Sequence, residues 1–549
     1  MSGESQESAV ATTTDSAIEP VPRLRLDRAL TTGAELSELQ RVRQEKVETF
    51  RERGIDPYPA RVARGGDIFA ARARFEVIEP TLPAPGEDDA EQTLAGRLIS
   101  RRHQGKTVFA HIRDGSGEIQ LYLRRDDVGE ATFDDFLKLY DLGDIVQSTG
   151  RLFRTRAGEI SLRVASVAML SKALNAPPEK WHGLQDVETR YRQRYADLIA
   201  NDDVRAVFAI RSNIVSSIRR FLDARGFIEV ETPTLQPLYG GAAAQPFTTV
   251  HHALDQTFYL RIAVELYLKR LIVGGFDRVY EIGKDFRNEG MDRNHQPEFT
   301  MLEWYEAYAD YWQVMTMTED LMRQIARDVY GEPRFTKDGT DIDLSAPFAR
   351  VTLRDAIRDA SGIDYTAVPE QASLLRAARA AGADIAADTV WPRIVDELLK
   401  QFVRPHLIQP TFLLDYPVAL SPLAKRKADD PTHVERFQLY IGGGEIANAF
   451  TELNDPLDQL ARFVDQGRDR EAGDADAMPI DEDYINALMY GMPPTGGIGI
   501  GIDRLTMLLT DRSNIRDVIL FPAMRALPAS RSDSAETHAT EATAPDRGV

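Results

Sequence analysis

The stretch from Gly496 to Leu509, GGIGIGIDRLTMLL, alternates glycine with isoleucine before it changes to a helical pattern. Neighbouring residues of a strand point to opposite faces, so Gly497, Gly499 and Gly501 share one face and the isoleucines share the other. Glycine weakens a strand because it has no side chain to pack and loses more backbone entropy on folding. The isoleucine face therefore predicts a core. The bare face predicts either closely packed backbone or a ligand lying flat on the strand.

The same stretch does not match the familiar glycine-rich ligand loops. The dinucleotide-binding fingerprint needs its glycines in a turn after a strand, whereas these glycines lie inside the predicted strand. A phosphate-binding loop would need Gly-Lys-Ser or Gly-Lys-Thr, and neither follows here. From this stretch alone, close packing is favoured, and a ligand platform remains open.

Composition limits the class of protein. The chain has 549 residues, so we expect several domains. It contains no run of about eighteen apolar residues, so we expect no membrane span. The absence of cysteine excludes disulfides, thiolate catalysis and cysteine-ligated zinc. The N-terminus lacks the basic start and apolar centre of a secretory signal. The absence of cysteine favours a cytoplasmic enzyme, although on its own it also suits a secreted protein. With a net charge of −20, any contact with nucleic acid must depend on local basic patches.

The pattern of apolar, polar and turn residues predicts two folded regions between two polar ends of the chain. Short alternating runs separated by turn residues predict a small β-barrel, and longer strand-like and helical runs follow it. The predicted order is a disordered tail (1–33), an N-terminal helical segment (34–90), a barrel (91–172), a linker (173–203), an α/β region (204–527) with a helical insertion (352–402), and a second disordered tail (528–549).

The predicted barrel has the size of an OB-fold, the five-stranded barrel that binds oligonucleotides. Its candidate binding residues are Arg101, Phe109, Gln120 and Glu159. An aromatic ring beside polar groups suits single-stranded bases, which are recognised by stacking and by hydrogen bonds to their edges. The residues alone favour a plainer interpretation, in which Phe109 belongs to the barrel core and the polar side chains are solvated.

The α/β region concentrates charge and aromatic rings in one segment, YEIGKDFRNEGMDRNHQPEFTMLEWYEAY. Arg287 and Glu289 are two residues apart, and Phe299, Glu303 and Tyr305 share one face of the next predicted strand. Together with the arginine that follows the glycine strand, these residues suit a site that binds an anion and a base. A sheet surface lined with ion pairs explains the same pattern, so both interpretations stand at this point.

Longer stretches identify a family. Arg-Asn-Glu followed by phenylalanine, GIGIGIDR, and a helix–strand unit ending in proline resemble the three signature motifs of class II aminoacyl-tRNA synthetases. GLQDVETRYRQRYADLI, RIAVELYLKRLIVGGFDRVYEIG, EIANAFTELNDP and IRDVILFP narrow the resemblance to the lysyl-tRNA synthetases of bacterial type. It covers roughly Ala34 to Pro522. It implies a multidomain chain, with an OB-fold barrel and an α/β class II catalytic domain whose antiparallel sheet is flanked by helices.

The resemblance implies roles for residues around a nucleotide. ATP would contact Arg287, Glu289, His295, Phe299, Glu445 and Arg504, with the adenine between Phe299 and Arg504. Arg287, Arg504 and Glu445 would be catalytic. Glu445 and Gln438 would bind Mg²⁺, with more than one ion expected per subunit. The family usually has a glutamate where Gln438 stands, and hard cations prefer carboxylates, so one ion is expected to bind more weakly here.

The resemblance also implies a pocket for L-lysine. Its predicted residues are Gly241, Glu265, Arg287, Glu303, Tyr305, Asn448, Phe450 and Glu452. A lysine ammonium removed from water needs paired anions and hydrogen bonds, because an unpaired buried charge is costly. Glu303, Glu452 and the Tyr305 hydroxyl could supply them to the side chain, and Glu265 could accept the α-ammonium. A pocket for aspartate or asparagine would have no use for this acidity.

The expected activity of the family is the ATP-dependent activation of L-lysine and its transfer to the 3′ end of tRNA(Lys) for translation. In this chain the anticodon would contact Arg101, Phe109, Gln120 and Glu159. A homodimer would form through the first motif, near Pro233.

Two other functions fit parts of the sequence. A relative that lysylates a protein or a lipid would lack the barrel or carry a membrane half, and this sequence predicts a barrel and no membrane half. A catalytically inactive paralogue that only binds RNA or lysine would be expected to lose Arg287, Arg504 or Glu445, and all three are present.

Overall fold

The structure, a computed structural model, describes residues 35–63, 65–83, 86–178, 184–471 and 479–526. Side chains are described for all of these residues except 469–471. The chain divides into two compact units, Met1–Glu179 and Lys180–Val549. The tails predicted to be disordered, 1–33 and 528–549, lie outside the described residues. None of the helices in the described ranges has the length and apolar character that a bilayer crossing needs.

The first unit starts with helices and continues as a barrel. Its elements are α1 (Glu38–Glu52), α2 (Ile68–Ile78), β1 (Glu87–Gln104), β2 (Thr107–Arg113), β3 (Glu118–Arg124), α3 (Arg125–Val128), α4 (Glu130–Lys138), β4 (Ile145–Arg154) and β5 (Ile160–Ser171). Helix α1 begins at a capping box, in which the Ser37 hydroxyl accepts from the Gln40 amide and the Gln40 side chain accepts from the Ser37 amide.

The five strands close into a barrel in the order β1-β2-β3-β5-β4. All pairings are antiparallel except β3 with β5. Alternate residues fill the interior, so that Val108, Ala110 and Ile112 of β2 are fully buried. A closed five-stranded barrel of this kind confirms the OB-fold prediction.

The second unit contains the remaining elements. They are α5 (Val187–Arg192), α6 (Arg194–Ala200), α7 (Asp202–Asp223), β6 (Ile228–Glu229), β7 (Leu235–Gln236), β8 (Thr248–His251), β9 (Gln256–Leu260), α8 (Glu265–Val273), β10 (Arg278–Phe286), β11 (Glu298–Ala307), α9 (Tyr311–Tyr330), β12 (Arg334–Lys337), β13 (Thr340–Asp343), β14 (Ala349–Thr352), α10 (Leu353–Ser361), α11 (Gln371–Ala380), α12 (Trp391–Leu398), β15 (Thr411–Pro417), β16 (His433–Ile441), β17 (Gly444–Thr451), α13 (Pro456–Glu471), α14 (Glu482–Met489), β18 (Thr495–Gly501) and α15 (Ile502–Leu509).

An eight-stranded sheet organises this unit, in the order β14-β15-β16-β17-β18-β11-β10-β6. The six strands from β15 to β10 are antiparallel, as predicted, whereas the short edge strands β14 and β6 pair in parallel. The sheet is therefore mixed at its two edges. Strand β18 lies near the middle, hydrogen-bonded to β11 on one side and β17 on the other.

One face of the sheet carries the main apolar core. Ile498 and Ile500 of β18 join this core with Phe221 of α7 and with Met315 and Ile325 of α9. The isoleucine face of the glycine-rich stretch is thus packed against two long helices, as its pattern predicted. Burial of several large aliphatic and aromatic side chains on this face stabilises the sheet, at about 1.5–3 kcal/mol for each side chain.

The predicted linker and the predicted helical insertion both contain helices that pack within this unit. Helices α5 and α6 lie within the stretch predicted as a linker. Arg194 of α6 is buried and donates to the carbonyl oxygens of Arg516 and Leu520 in the same unit. The stretch predicted as a helical insertion contains α10, α11 and α12, which share an apolar cluster with Leu413 of β15 and Val434 of β16.

Candidate active site and nucleic-acid surface

The glycine face of β18 lies between two strands that carry the predicted pocket residues. Across from Gly497 stand Tyr305 of β11 and Phe450 of β17. The next glycine on that face, Gly499, lies between Glu303 and Asn448 in the same way. The bare strand therefore forms the floor of a groove, and its walls come from β11 and β17.

The glycines of this strand have different steric surroundings. A Cβ added to Gly497 would overlap the Glu452 carboxylate and the Tyr305 ring, so only glycine fits there. A Cβ on Gly499 would make ordinary contacts of 3.7 Å with side-chain atoms of Glu303 and Met301. Gly496 faces the opposite side, where a Cβ would lie 2.6 Å from Cγ2 of Val314 in α9. Close packing explains Gly496 and Gly497, whereas Gly499 borders open space.

That open space is a cavity of about 860 Å³. The predicted lysine-site residues other than Glu452 line it, and these are Gly241, Glu265, Arg287, Glu303, Tyr305, Asn448 and Phe450. The predicted nucleotide and metal residues line it as well, and these are Arg287, Glu289, His295, Phe299, Gln438, Glu445 and Arg504. Residues far apart in the sequence are thus brought around one cavity of the size expected for a small-molecule site.

Three buried glutamates define the acidic end. Glu265 starts α8, Glu303 lies on β11 and Glu452 follows β17, with exposed fractions of 7%, 7% and 1%. The Tyr305 hydroxyl donates to Oε2 of Glu303 at 2.9 Å. Lys269, one helical turn after Glu265, donates to Oε1 of Glu265 at 2.5 Å and contacts the Glu452 carboxylate. Glu452 therefore lies behind the cavity wall, held by an ammonium of the chain itself.

Burial dominates the ionisation of this cluster. It raises the pKa of Glu303 well above its usual range, and the carboxylates of Glu265 and Asp285 raise it further. Burial also raises the pKa of Glu452 to about 8, although Lys269 lowers it. For Lys269 burial alone would lower the pKa, but Glu265 and Glu452 more than offset this and the pKa is raised. The pocket thus carries more carboxylates than cations, and an added ammonium would relieve this imbalance.

The other end of the cavity is cationic and aromatic. Arg287 follows β10, and its guanidinium carbon lies 5.0 Å from the centre of the Phe299 ring. Its Nε donates to the Ile262 carbonyl at 3.4 Å, which leaves the outer guanidinium nitrogens toward the cavity. A planar cation beside an aromatic ring suits an anion and a flat base.

Arg504 connects two further residues of this end. Its Nη2 lies 3.2 Å from Nε2 of His295, and its Nη1 lies 3.7 Å from Oε2 of Glu445. The other ring nitrogen of His295 bonds to Asp292 at 2.8 Å. Asp503, beside Arg504, is buried and accepts from the Thr300 amide, so it anchors the start of α15 to β11.

The predicted metal ligands differ in what they can offer. Oε1 of Gln438 accepts hydrogen bonds from the hydroxyls of Tyr416 at 2.6 Å and Tyr440 at 2.8 Å. Both lone pairs of that oxygen are therefore used. Glu445 is part-exposed and lines the cavity, so its carboxylate can share a cation with a bound phosphate. Among the described residues, no group of three acidic or histidine side chains is placed to hold a metal ion.

Sequence reasoning missed three residues of this site. Lys269 follows Glu265 by four residues on a helix, a spacing that predicts an ion pair and could have been found. Asp292 is close to His295 in sequence, but its bond to the imidazole depends on the fold of the loop. Arg436 donates to Oδ1 of Asn448 across a strand pair, and only the register of β16 and β17 brings them together.

The structure shows whether Phe109 belongs to the barrel core or to its surface. This ring is half-buried and lies outside the barrel core, because its neighbours in β2 occupy the interior positions. Its ring centre lies 5.2 Å from that of Tyr122, with the two ring planes tilted by 43°, and the Arg102 guanidinium lies 5.5 Å from its centre. Arg101 points elsewhere and donates to the Tyr140 carbonyl and to two carbonyls of α4.

The two remaining predicted barrel residues form a hydrogen-bonded chain. Gln120 donates to Oε2 of Glu159 at 2.7 Å and accepts from Ser161. The other oxygen of Glu159 bonds to Nε2 of His111 at 2.8 Å. His111 and Phe109 share a face of β2, opposite Gln120 and Tyr122 on β3. The structure thus brings Phe109, Gln120 and Glu159 onto neighbouring strands and adds His111 and Arg102 to them.

The segment predicted to form a dimer interface is exposed. Pro233 lies between two short strands, β6 and β7. Ile228 and Leu235, on those strands, are 51% and 50% exposed. The two side chains lie on edge strands of two different sheets, and exposed apolar side chains of this kind are compatible with a partner surface.

Comparisons with known proteins agree with this site. The family model described as tRNA synthetases class II (D, K and N) matches residues 186–525, and the OB-fold nucleic acid binding domain model matches residues 92–170. The chain is 55% identical over 492 residues to a lysine–tRNA ligase of Chloroflexus aurantiacus, which covers 89% of this chain and 99% of the relative.

Two further relatives carry the same name. The Roseiflexus castenholzii lysine–tRNA ligase is 56% identical over 493 residues, with 89% of this chain and 99% of the relative covered. The lysine–tRNA ligase of Pelotomaculum thermopropionicum is 51% identical over 493 residues, with 89% and 96% covered. A barrel, a glycine-floored acidic cavity and matches of this length lead to one conclusion: the chain belongs to the lysine–tRNA ligase family of class II aminoacyl-tRNA synthetases.

Proposed function

We propose that the chain activates L-lysine with ATP and transfers the lysyl group to the 3′ end of tRNA(Lys). The observation that carries this proposal is the buried cluster of Glu265, Glu303, Tyr305 and Glu452 at one end of the cavity that also contains Arg287. An ammonium taken from water needs such anions, since the desolvation of an unpaired charge is costly. The side chain of aspartate or asparagine would place a carboxylate or an amide against three glutamates, so the cluster favours lysine.

We propose one orientation of the substrate in the cavity. The side-chain ammonium would lie against Glu303 and the Tyr305 hydroxyl, with Glu452 behind them, and the α-ammonium would face Glu265. The carboxylate would then point toward Arg287, at the cationic end. The adenine would lie at Phe299, with Glu289 at its edge, and the phosphates would lie between Arg287, His295 and Arg504, which all line the cavity.

In the first step, an oxygen of the lysine carboxylate forms a bond to the α-phosphorus of ATP. The bond from that phosphorus to the β-phosphate oxygen breaks, and pyrophosphate leaves. This displacement requires in-line positioning and neutralisation of negative charge more than a general base. Arg287 and Arg504 line the cavity and would supply positive charge to the phosphates, so both are proposed as catalytic residues. Glu445, which lines the same cavity, is proposed as the third.

In the second step, the terminal 3′-hydroxyl of tRNA forms an ester bond with the lysyl carbonyl carbon. The bond from that carbon to the adenylate oxygen breaks, and AMP leaves with the hydroxyl proton. The second step would use the same two arginines as the first, since they would stabilise the negative charge of the departing AMP.

Magnesium is the cofactor that we propose for the first step. Glu445 would share the ion with the phosphates, and the bound ion would neutralise part of their charge. Gln438 is the second predicted ligand, but its side-chain oxygen already accepts from two tyrosine hydroxyls. We therefore propose that Glu445 is the main protein ligand and that the Gln438 position binds more weakly or not at all.

The remaining proposals concern partners. Bases of the anticodon would stack on Phe109 and bond to Gln120 and Glu159, with Arg102 as an additional contact, and Arg101 stays a prediction from the resemblance alone. A homodimer would form through the exposed segment near Pro233. The cytoplasm, where translation takes place, is the proposed location.

Amino-acid-dependent ATP–pyrophosphate exchange tests the proposal. Lysine should support exchange in the purified chain, whereas ornithine, arginine, aspartate and asparagine should support little or none. Exchange with aspartate or asparagine instead would contradict the assignment of the acidic cluster. A folded chain that binds ATP but shows no exchange with any of these amino acids would contradict the proposed activity as a whole.

A further inference from the structure

The acidic end of the cavity contains an ammonium that belongs to the protein. Lys269 has no exposed surface, and its Nζ bonds to Glu265 at 2.5 Å and contacts Glu452. The same nitrogen lies 5.4 Å from the centre of the Phe450 ring and 5.9 Å from that of Tyr305. Glu265, Tyr305 and Phe450 line the cavity, whereas Lys269 lies one layer behind them.

Charges at this end can be counted. Three buried carboxylates, those of Glu265, Glu303 and Glu452, face one buried ammonium, that of Lys269. Their formal sum is −2 when all are ionised. L-Lysine brings two ammonium groups to this end, and its carboxylate is directed to Arg287 in the proposed function. The cluster and the two ammonium groups therefore sum to zero, and without Lys269 they would not.

Other ionisable groups near the cluster are the same with and without Lys269, so they do not affect the difference in charge that Lys269 makes. Asp285 of β10 faces Glu303, but it forms an ion pair with Arg261. Glu281, on the same strand, is also paired with Arg261. The hydroxyls of Tyr305 and Tyr484 are near the cluster, and burial raises the pKa of each far above neutrality, so they remain uncharged.

We propose that Lys269 is a positioning residue that sets the charge of the lysine pocket. It holds the Glu265 and Glu452 carboxylates from behind, and when the three carboxylates are ionised with lysine bound, it sets a pocket charge that the two substrate ammonium groups neutralise. It touches neither the substrate nor the reacting atoms. The inference rests on the proposed function, because the count assumes that lysine occupies this end of the cavity.

Removing this ammonium has a defined consequence. In Lys269→Met, Glu265 and Glu452 lose the buried cation that pairs with both of them, and a buried carboxylate without a partner takes up a proton. Lysine must then displace that additional proton when it binds. Binding becomes weaker at neutral pH and tightens as pH rises, because fewer free pockets are protonated at high pH. The variant should therefore release about one more proton per lysine bound than the unmodified chain.

Calorimetry and kinetics on the full-length chain test this inference. Lysine binding would be measured in two buffers of different ionisation enthalpy, which gives the number of protons released. ATP–pyrophosphate exchange would be measured from pH 6.5 to 9. For Lys269→Met we expect a lysine KM at pH 7 raised at least tenfold, a smaller change in kcat, and one additional proton released. Lys269→Arg keeps the charge and should restore the proton count.

Two more variants separate this role from a merely structural one. Lys172 is also buried and bonds to two carboxylates, Asp141 and Asp144, but it belongs to the barrel unit. Lys172→Met should therefore lower stability without changing the lysine KM or the proton count. The double variant Lys269→Met with Glu452→Gln removes one ammonium and one carboxylate together. It keeps the formal charge of the pocket and should return the proton count to that of the unmodified chain.

The outcomes are distinguishable. An unchanged proton count in Lys269→Met, or a stability loss like that of Lys172→Met with an unchanged lysine KM, would overturn the inference. If Lys269→Met does not fold, an additional proton in the double variant would overturn it as well. Failure of the unmodified chain to activate lysine would instead overturn the proposed function.

Discussion

Replacing Gly497 with alanine should damage the lysine pocket through its floor. The new Cβ would overlap the Glu452 carboxylate and the Tyr305 ring, and both side chains are buried. Neither can move aside freely, because Glu452 is paired with Lys269 and Tyr305 bonds to Glu303. Overpacking a tight interior costs about 1–3 kcal/mol, and this loss is offset by less than about 1 kcal/mol through the lower backbone entropy of alanine.

The same substitution should weaken lysine binding. A displaced Glu452 loses its place in the charged hydrogen-bond network, and a hydrogen bond to a charged group contributes about 1.5–3 kcal/mol. This corresponds to a rise of about 10- to 100-fold in the lysine KM, since 1.4 kcal/mol is a factor of ten. The assays are thermal unfolding and lysine-dependent ATP–pyrophosphate exchange at saturating ATP.

Two neighbours on the same strand serve as controls. Gly496→Ala would place its Cβ 2.6 Å from Val314 on the helix side, so it should lower the melting temperature while the lysine KM stays constant. Gly499→Ala meets only ordinary contacts of 3.7 Å and should leave the melting temperature nearly unchanged. The reasoning is refuted if Gly497→Ala keeps both the melting temperature and the lysine KM, or if Gly499→Ala is equally destabilised.

Three further predictions concern other parts of the molecule. Burial raises the pKa of Asp285 to about 6, so its contribution to stability is fully present below the unfolded value near 4 and is lost as pH rises through 6. Asp285→Asn should therefore increase the free energy of unfolding at pH 8 by about 1–3 kcal/mol and change it little at pH 4, measured by denaturant titration. Gln438→Glu should lower the Mg²⁺ concentration that gives half-maximal exchange, because a second carboxylate joins Glu445; an unchanged titration would argue against any metal at this position. Phe109→Ala should raise the KM for tRNA by an amount equivalent to about 1–3 kcal/mol of stacking, while exchange in the absence of tRNA stays constant.

The sequence was most informative where one pattern satisfied two requirements. Ile498 and Ile500 needed a core and the alternating glycines needed open or tightly packed space, so a two-faced central strand followed directly. The parallel edge strands could not be predicted, because a pairing of two or four residues leaves almost no pattern in the chain. The helices between residues 187 and 200 were missed because their polar, aromatic composition resembled that of a connecting segment.

The candidate site shows a similar division. Arg287, Phe299, Glu303 and Tyr305 were proposed from their spacing before the family was considered, and all of them line the cavity. Of the two tyrosine partners of Gln438, Tyr440 is two residues away on the same strand and could have been predicted, whereas Tyr416 comes from β15 and could not. The binding residues of the barrel were harder to predict. Strand alternation alone could not decide whether Arg101 or Arg102 faces Phe109, and the structure places Arg102 there.

The floor of the cavity has a consequence for how substrate choice can change. Where β18 borders the cavity, at Gly499, it has no side chain with which to distinguish one amino acid from another. Discrimination must therefore come from the side chains that flank it, such as Glu303 on β11 and Asn448 on β17. A change of amino acid specificity could leave β18, its isoleucine core and the fold intact while only the flanking positions are exchanged. The glycine strand would then act as a fixed scaffold on which differently selective pockets can be built.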